Sequence, residues 1–352
     1  MTCNLLRTFS MALFLTICFA TVANADDAAA QAHVAAAQAA VAPAIPNPDQ
    51  PFQVFEAFFK QWCAPPKQLP DVVRQENRRI PTSREEWYQP PVRIFDQLYF
   101  IGTKGTGVYA INSPDGIAII DTNFDWDAKD LVLELKDFGL DPQQNLKYII
   151  VTHGHDDRYW GAKSLQETYP KAHVIMSAAD WDVLAKSDEP NEIKPKKDMI
   201  ATDGMKLTLG DTTLTLYLTP GHTPGTISTL VPLKDGNQRH MGAVWGGINP
   251  SLVRYRVKYF ANWEVTFKTW SASAARFQEI AAKAGADTYL TIHPFYDNAL
   301  EKIHLVQYRK PGDPHPLVSK DNLNRFLTII KECTDAQLAR ITDTPQSTKL
   351  NR

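Results

Sequence analysis

Thr152-His153-Gly154-His155-Asp156-Asp157-Arg158-Tyr159-Trp160-Gly161 is the stretch around which the chain is read. It follows Leu146-Lys147-Tyr148-Ile149-Ile150-Val151, a short apolar run with the length of a buried strand. A strand that runs straight into His-x-His-x-Asp presents imidazole and carboxylate groups together at its mouth. Neutral imidazole nitrogen and carboxylate oxygen are the ligands zinc takes in catalytic sites. Polar loop residues also cluster by chance, but two His and an Asp at alternate positions are more than chance readily supplies.

Further ligands stand in similar settings. His222 lies in Pro220-Gly221-His222-Thr223-Pro224-Gly225, a turn-forming run straight after the expected strand Leu214–Leu218. His293 lies in Thr291-Ile292-His293-Pro294, again just past a short apolar run. One such His alone would more often be an ordinary loop residue. Of nine His in the chain, four stand at strand ends in turn chemistry, which points to one site assembled from several strands.

The pattern from Val92 onward is dense. Strands are expected at Arg93–Ile101, Gly107–Asn112, Gly116–Asp121, 146–151 and His173–Met176, with helices at Trp126–Phe138, Ala162–Tyr169 and Ala178–Lys186. A second batch follows: a hairpin about Gly210-Asp211, strands Thr226–Val231, His240–Val244 and Asp287–Ile292, and helices Trp263–Lys283, Asn298–Tyr308 and Lys320–Arg340. Two batches of strands, each with helices beside it, can bury one sheet face on the other and one under helices. The expected fold is therefore α/β, a four-layer sandwich, with the site where strand ends of both halves meet.

The 352 residues are 44% apolar and 22% charged, ordinary globular material. A net charge of −2 gives neither the basic field that nucleic acid requires nor a polybasic membrane patch. Residues 1–25 read as a signal peptide: Arg7, then the apolar run from Met11 to Ala20, then Ala23-Asn24-Ala25 as a cleavage site. The alternative is an uncleaved anchor, although the apolar run is too short to span a bilayer. The expectation is a periplasmic or secreted protein that has no membrane association after cleavage. Cleavage leaves Cys63 and Cys333, and two thiols in an oxidising compartment suggest one disulfide. Residues 26–50, Ala-rich then Pro-rich, read as a mobile leader with no amphipathic stripe; 51–91 read as an N-terminal arm; 92–342 read as the catalytic domain.

These residues carry a resemblance. With Leu98-Tyr99-Phe100-Ile101-Gly102-Thr103, Ile119-Ile120-Asp121-Thr122, Gly221-His222-Thr223-Pro224-Gly225 and His293-Pro294-Phe295-Tyr296-Asp297, the sequence resembles the metallo-β-lactamase superfamily, and within it subclass B3 most. The resemblance runs from about Val92 to the C-terminal helix. It implies the αββα metallo-β-lactamase fold, zinc dependence and hydrolysis of a β-lactam amide. By motif position, His153, His155 and His222 would hold the first zinc, and Asp157 and His293 the second.

One departure matters: the family motif is His-x-His-x-Asp-His, and the last position here is Arg158. A guanidinium has no lone pair to offer at any working pH. The expectation is one tightly bound zinc, with the second site weak, absent or filled by Arg158 itself. Zinc on three imidazoles can lower the pKa of bound water to about 7. Asp157 is placed to orient that water or take its proton, and Arg158 to supply positive charge in place of a second zinc. Gly246 and Gly247 fall where the subclass carries serines that hold a drug carboxylate; Arg254 or Lys258 could compensate. Trp160 and Tyr159 could wall the pocket or be core. Three functions follow from this reading. They are a B3-like β-lactamase acting on a small-molecule substrate, a related hydrolase of lactones, esters or thioesters, and a zinc-binding relative with lost catalysis. The oligomeric state is not encoded in any motif.

Overall fold

The computed structural model describes residues 20–41, 55–64 and 83–342. Its first sheet has seven strands in chain order: β1 (Val92–Arg93), β2 (Leu98–Phe100), β3 (Tyr109–Ser113), β4 (Gly116–Ile120), β5 (Leu146–Ile150), β6 (His173–Ser177) and β7 (Met199–Ala201). β1 to β4 pair antiparallel, and β4 to β7 pair parallel. The second sheet is built from β8 (Met205–Leu209), β9 (Thr212–Leu218), β10 (Ile227–Asp235), β11 (Gln238–Val244) and β14 (Thr288–Leu290), in the order β14-β11-β10-β9-β8. A separate two-stranded hairpin pairs β12 (Val253–Arg254) with β13 (Val257–Lys258).

Strand periodicity explains the layers. On β4, Ala118 and Ile120 face the core shared by both sheets, while Ile117 and Ile119 face the helices. Both faces are buried, so the run is apolar throughout instead of alternating. The outer face of the first sheet is covered by α4 (Asp125–Leu133), α6 (Asp156–Thr168) and α7 (Ala178–Lys186), through Ala128, Val132, Ala162, Leu165, Trp181 and Leu184. The second sheet lies under α8 (Trp263–Lys283) and α10 (Asn322–Thr342), through Trp270, Phe277, Phe326 and Ile330. α8 begins where sequence places it because the Asn262 side chain caps the Val265 amide at 2.9 Å. Shorter helices complete the chain: α2 (Glu56–Trp62), α3 (Arg84–Trp87), α5 (Pro142–Asn145) and α9 (Ala299–Val306). The architecture is the α/β four-layer sandwich expected from sequence.

Three local expectations change. The single strand Arg93–Ile101 is a tight hairpin, because Ile94 and Phe95 both donate to the Leu98 carbonyl and turn the chain back. The helix expected at Ala162 starts six residues earlier at Asp156, so Asp156, Asp157 and Arg158 of the metal motif open its first turn and His155 is its N-cap. Asp156 and Asp157 are favoured there by the positive end of the helix dipole. The leader read as mobile, 26–50, is helical through residue 40: α1 (Ala20–Ala40) starts in the last residues of the expected signal segment and packs against α10. Its stripe exists but is made of small residues: Ala30, Ala37 and Val41 are buried, with Val34 half-buried between them. His33 Nδ1 meets Glu332 Oε2 of α10 at 2.6 Å. Most of the expected signal segment, 1–19, lies outside the described residues, as do 42–54, 65–82 and 343–352.

Cys63, just after α2, is bonded to Cys333 on α10, closing a separation of 270 residues. The pairing matches the cysteine count. In the chain-entropy account a loop this long stabilises by roughly 5 kcal/mol, an upper figure. Replacing both cysteines by Ser is expected to lower the urea midpoint and raise the m-value, because the unfolded chain without its crosslink exposes more surface, and alkylation of the unreduced protein should find neither thiol.

Candidate metal centre

Each of the four proposed His ligands follows the carboxyl end of a strand, and Asp157 lies in the first turn of α6. His153 and His155 follow β5, His222 follows β9 and His293 follows β14. The two sheets are stitched together here, where the Ile227 amide donates to the Thr152 carbonyl at 2.8 Å. Two buried carboxylates fix the loops. Asp121, at the end of β4 with φ 64°, accepts from the Thr152 amide and from its hydroxyl, each at 2.8 Å. Asp180, in the first turn of α7, accepts from Gly154 N at 2.9 Å, Gly225 N at 2.9 Å and Thr223 Oγ1 at 2.7 Å. That one carboxylate therefore ties the His153–His155 loop to the loop bearing His222. Burial raises both carboxyls to about 6, against their hydrogen bonds and, for Asp121, against Arg158.

The three imidazoles of His153, His155 and His222 converge, with ring centroids 4.3 to 4.7 Å apart and rings nearly perpendicular. His153 Nδ1 lies 2.7 Å from the Gly246 carbonyl, and His222 Nδ1 bonds the Asn249 carbonyl. A carbonyl cannot donate, so each Nδ1 carries the hydrogen and each Nε2 presents a lone pair. Those two Nε2 atoms are 3.0 Å apart. Two lone pairs facing one another at that distance repel unless a cation lies against both. Burial lowers the pKa of His222 to about 4 and those of His153 and His155 well below the usual value. All three are then neutral imidazoles at pH 7, as metal ligation requires, and the donor set fits zinc.

Gly247 belongs to the cradle. A Cβ there would lie 2.3 Å from His222 Cβ, and one on Gly246 would lie 1.9 Å from the Ile227 carbonyl oxygen. The turn that receives both His Nδ1 hydrogens therefore has no room for a serine at 247.

The remaining expected ligands are arranged differently. Arg158 has no exposed side-chain surface. Its NH1 reaches Asp121 Oδ2 at 3.2 Å, and its NH2 reaches Asp157 Oδ2 at 2.8 Å and the Ile292 carbonyl at 3.0 Å. The same NH2 lies 3.0 Å from His293 Nε2, while His293 Nδ1 meets the Gly105 carbonyl at 3.0 Å. Nδ1 must donate to that carbonyl, so the one lone pair of His293 is directed at the guanidinium. Asp157 and His293 are neighbours at 3.6 Å, but both are engaged by Arg158. Burial would raise the Asp157 carboxyl; Arg158 and His293 instead hold it well below the usual carboxylate range. Asp157 keeps 18% of its side chain exposed, enough to face a substrate. Arg158 faces only protein, and its contacts toward the site run to Asp157 and His293.

Sequence reasoning gave Asp180, Asp156 and Tyr259 no role. Tyr259 lies 3.2 Å from His155 Nε2, and Asp156 pairs with Arg254 at 2.6 Å. Arg254 is thus committed to a protein partner, and Lys258 is exposed. Tyr159 is core, and Trp160 packs edge-on against Phe124. Among the described residues the other cluster with ligand geometry is His33, Glu332 and Asp335, where Lys331 already bridges the two carboxylates at 2.8 and 2.9 Å.

Residues 102–236 match the model of the metallo-beta-lactamase superfamily. Three similar solved structures are the Rm3 metallo-beta-lactamase, BJP-1 of Bradyrhizobium japonicum, a subclass B3 metallo-beta-lactamase, and the FEZ-1 metallo-beta-lactamase of Legionella gormanii. They are 24, 24 and 22% identical, with TM-scores of 0.61, 0.60 and 0.57. The matches cover 72, 74 and 68% of this chain and 96, 96 and 91% of theirs. Uncharacterized protein YobT of Bacillus subtilis (strain 168) is 31% identical over 151 residues, 39% of this chain. The match spans only 61% of that protein's length. The chain has the αββα metallo-β-lactamase fold, with subclass B3 enzymes among its structural neighbours, and the stretch 102–236 is the part that matches the superfamily.

Gly247→Ser is expected to push His222 off its position and weaken zinc binding at least tenfold, measured by competition with a chromophoric chelator. Unchanged affinity would show that the turn can yield.

Proposed function

We propose that this protein is a zinc-dependent hydrolase that opens the amide of a β-lactam, using one zinc held by His153, His155 and His222. The observation that carries this reading is the pair of Nε2 lone pairs facing each other at 3.0 Å beside a third neutral imidazole. The B3 neighbours support the substrate class. Bound zinc supplies a Lewis acid and lowers the pKa of a coordinated water to about 7.

The chain's own residues do the rest. Asp157 stays ionised because Arg158 stands 2.8 Å away, and a carboxylate held so far below its usual range is a weak base, so its part is to accept a hydrogen bond from the attacking water and orient it. Arg158 pairs with two carboxylates and occupies the lone pair of His293, which opposes a second cation between Asp157 and His293. A second reading has its own support. The 246–247 turn offers no hydroxyl and Arg254 is paired with Asp156, so a substrate without a carboxylate, such as a lactone, ester or thioester, fits the same centre. The signal-like segment 1–25 and the Cys63–Cys333 bond support a periplasmic or secreted setting.

Assay of the purified mature chain against penicillins, cephalosporins, carbapenems and lactones, with and without chelator, separates these readings. Chelator-sensitive carbapenem hydrolysis with one zinc per chain is expected. Lactone turnover alone selects the second reading, and silence throughout indicates a zinc-binding protein without catalysis. Arg158→Ala is expected to keep one tightly held zinc, lose turnover at least tenfold and cost about 3–5 kcal/mol by leaving buried carboxylates unpaired. Two zinc ions of equal affinity in the unaltered protein would overturn the one-metal reading.

A further inference from the structure

The β12–β13 hairpin belongs to neither main sheet, yet it stands directly over the metal motif. Its turn residues Tyr255 and Arg256 have φ 51° and 59°, both left-handed. Such a two-residue turn normally uses Asn or Gly, and with other side chains it persists only where surrounding contacts hold it.

Those contacts converge on one motif residue. Asp156, buried between His155 and Asp157 in sequence, accepts from Arg254 NH2 at 2.6 Å and from the Tyr255 hydroxyl at 3.0 Å. Its own amide donates to that hydroxyl at 3.1 Å. On the outer side Arg256 pairs with Asp188 at 3.0 Å. The hairpin base closes where the Tyr259 amide donates to the Leu252 carbonyl at 2.8 Å. This places the Tyr259 hydroxyl 3.2 Å from His155 Nε2 and its ring almost parallel to the imidazole, 6.1 Å away and tilted by 23°.

We infer that the hairpin is a clamp on His155: the Asp156–Arg254 pair docks it, and His155 Nε2–H donates to the Tyr259 hydroxyl oxygen, leaving the lone pair of Nδ1 for the centre. His153 and His222 have backbone carbonyls in that orienting role. His155 has a side chain on a separate hairpin instead. Outer partners of this kind fix ring orientation and tautomer, and losing one typically weakens metal binding 10–100-fold. Tyr259 and Arg254 are positioning residues that act through His155. The inference rests on the zinc-site reading above.

The test uses the mature full chain, with zinc affinity from chelator competition, the visible spectrum of the cobalt-substituted protein, and the thermal midpoint of the metal-free form. Tyr259→Phe keeps the stacked ring and removes only the hydroxyl. It is expected to raise the zinc Kd 10–100-fold and to alter the cobalt bands, with the metal-free midpoint unmoved. Arg254→Ala is expected to weaken zinc in the same direction, and Arg254→Lys to restore much of the loss. A Tyr259→Phe Kd within twofold of the unaltered protein overturns the inference, as does a loss of affinity that only tracks a fallen midpoint. If the unaltered protein takes up no zinc, the zinc-site reading fails first; uptake with an indifferent Tyr259→Phe overturns the clamp alone.

Discussion

Two carboxylates without surface exposure hold this molecule's working end together. Asp121 fixes the exit of β5 through Thr152, and Asp180 spans from Gly154 to Thr223 and Gly225. The sheets they join are packed by apolar side chains that specify no direction at the ångström scale. Hydrogen bonds to a buried carboxylate do, because each unmade bond carries the full cost of burying a polar group. Convergence of the imidazoles is thus set by polar contacts at the seam and merely permitted by the apolar core.

Arg158 shows the same logic carried by charge. A guanidinium wholly removed from water is tolerated because Asp121 and Asp157 flank it and the Ile292 carbonyl accepts from it. A positive side chain thereby occupies the space between Asp157 and His293, and the Asp157 carboxylate is held ionised beside three neutral rings. The arrangement is asymmetric: one half of the site offers lone pairs to a metal, and the other half has already spent them on an arginine.

Much of this was legible in the sequence. Strands such as 146–151 and helices such as Trp263–Lys283 announce themselves by period and cap, and the four His share a strand-end, turn-rich setting. The departure at Arg158 was visible because a guanidinium cannot ligate. What stayed hidden depended on partners distant in the chain. Nothing local marks Asp180, whose amide donors lie 26 and 45 residues away, or Tyr259, 104 residues from His155. The docked α1 escaped because its stripe of Ala30, Ala37 and Val41 is small and complements α10 by close approach. Residue 158 itself gave no sign that its charge would be sealed from substrate, since burial is a property of the assembled fold.

The glycine at 247 has a consequence for how such a site can change over evolutionary time. Because that position lies against the Cβ of His222, a side chain there cannot be recruited for gripping a new molecule without disturbing the ring that must stay still. Variation is steered outward, to surfaces that tolerate exchange: the exposed ring of Phe295 beside His293, and the exposed Lys258 on β13. The inner turn is frozen by geometry, and selectivity has to be negotiated at the rim.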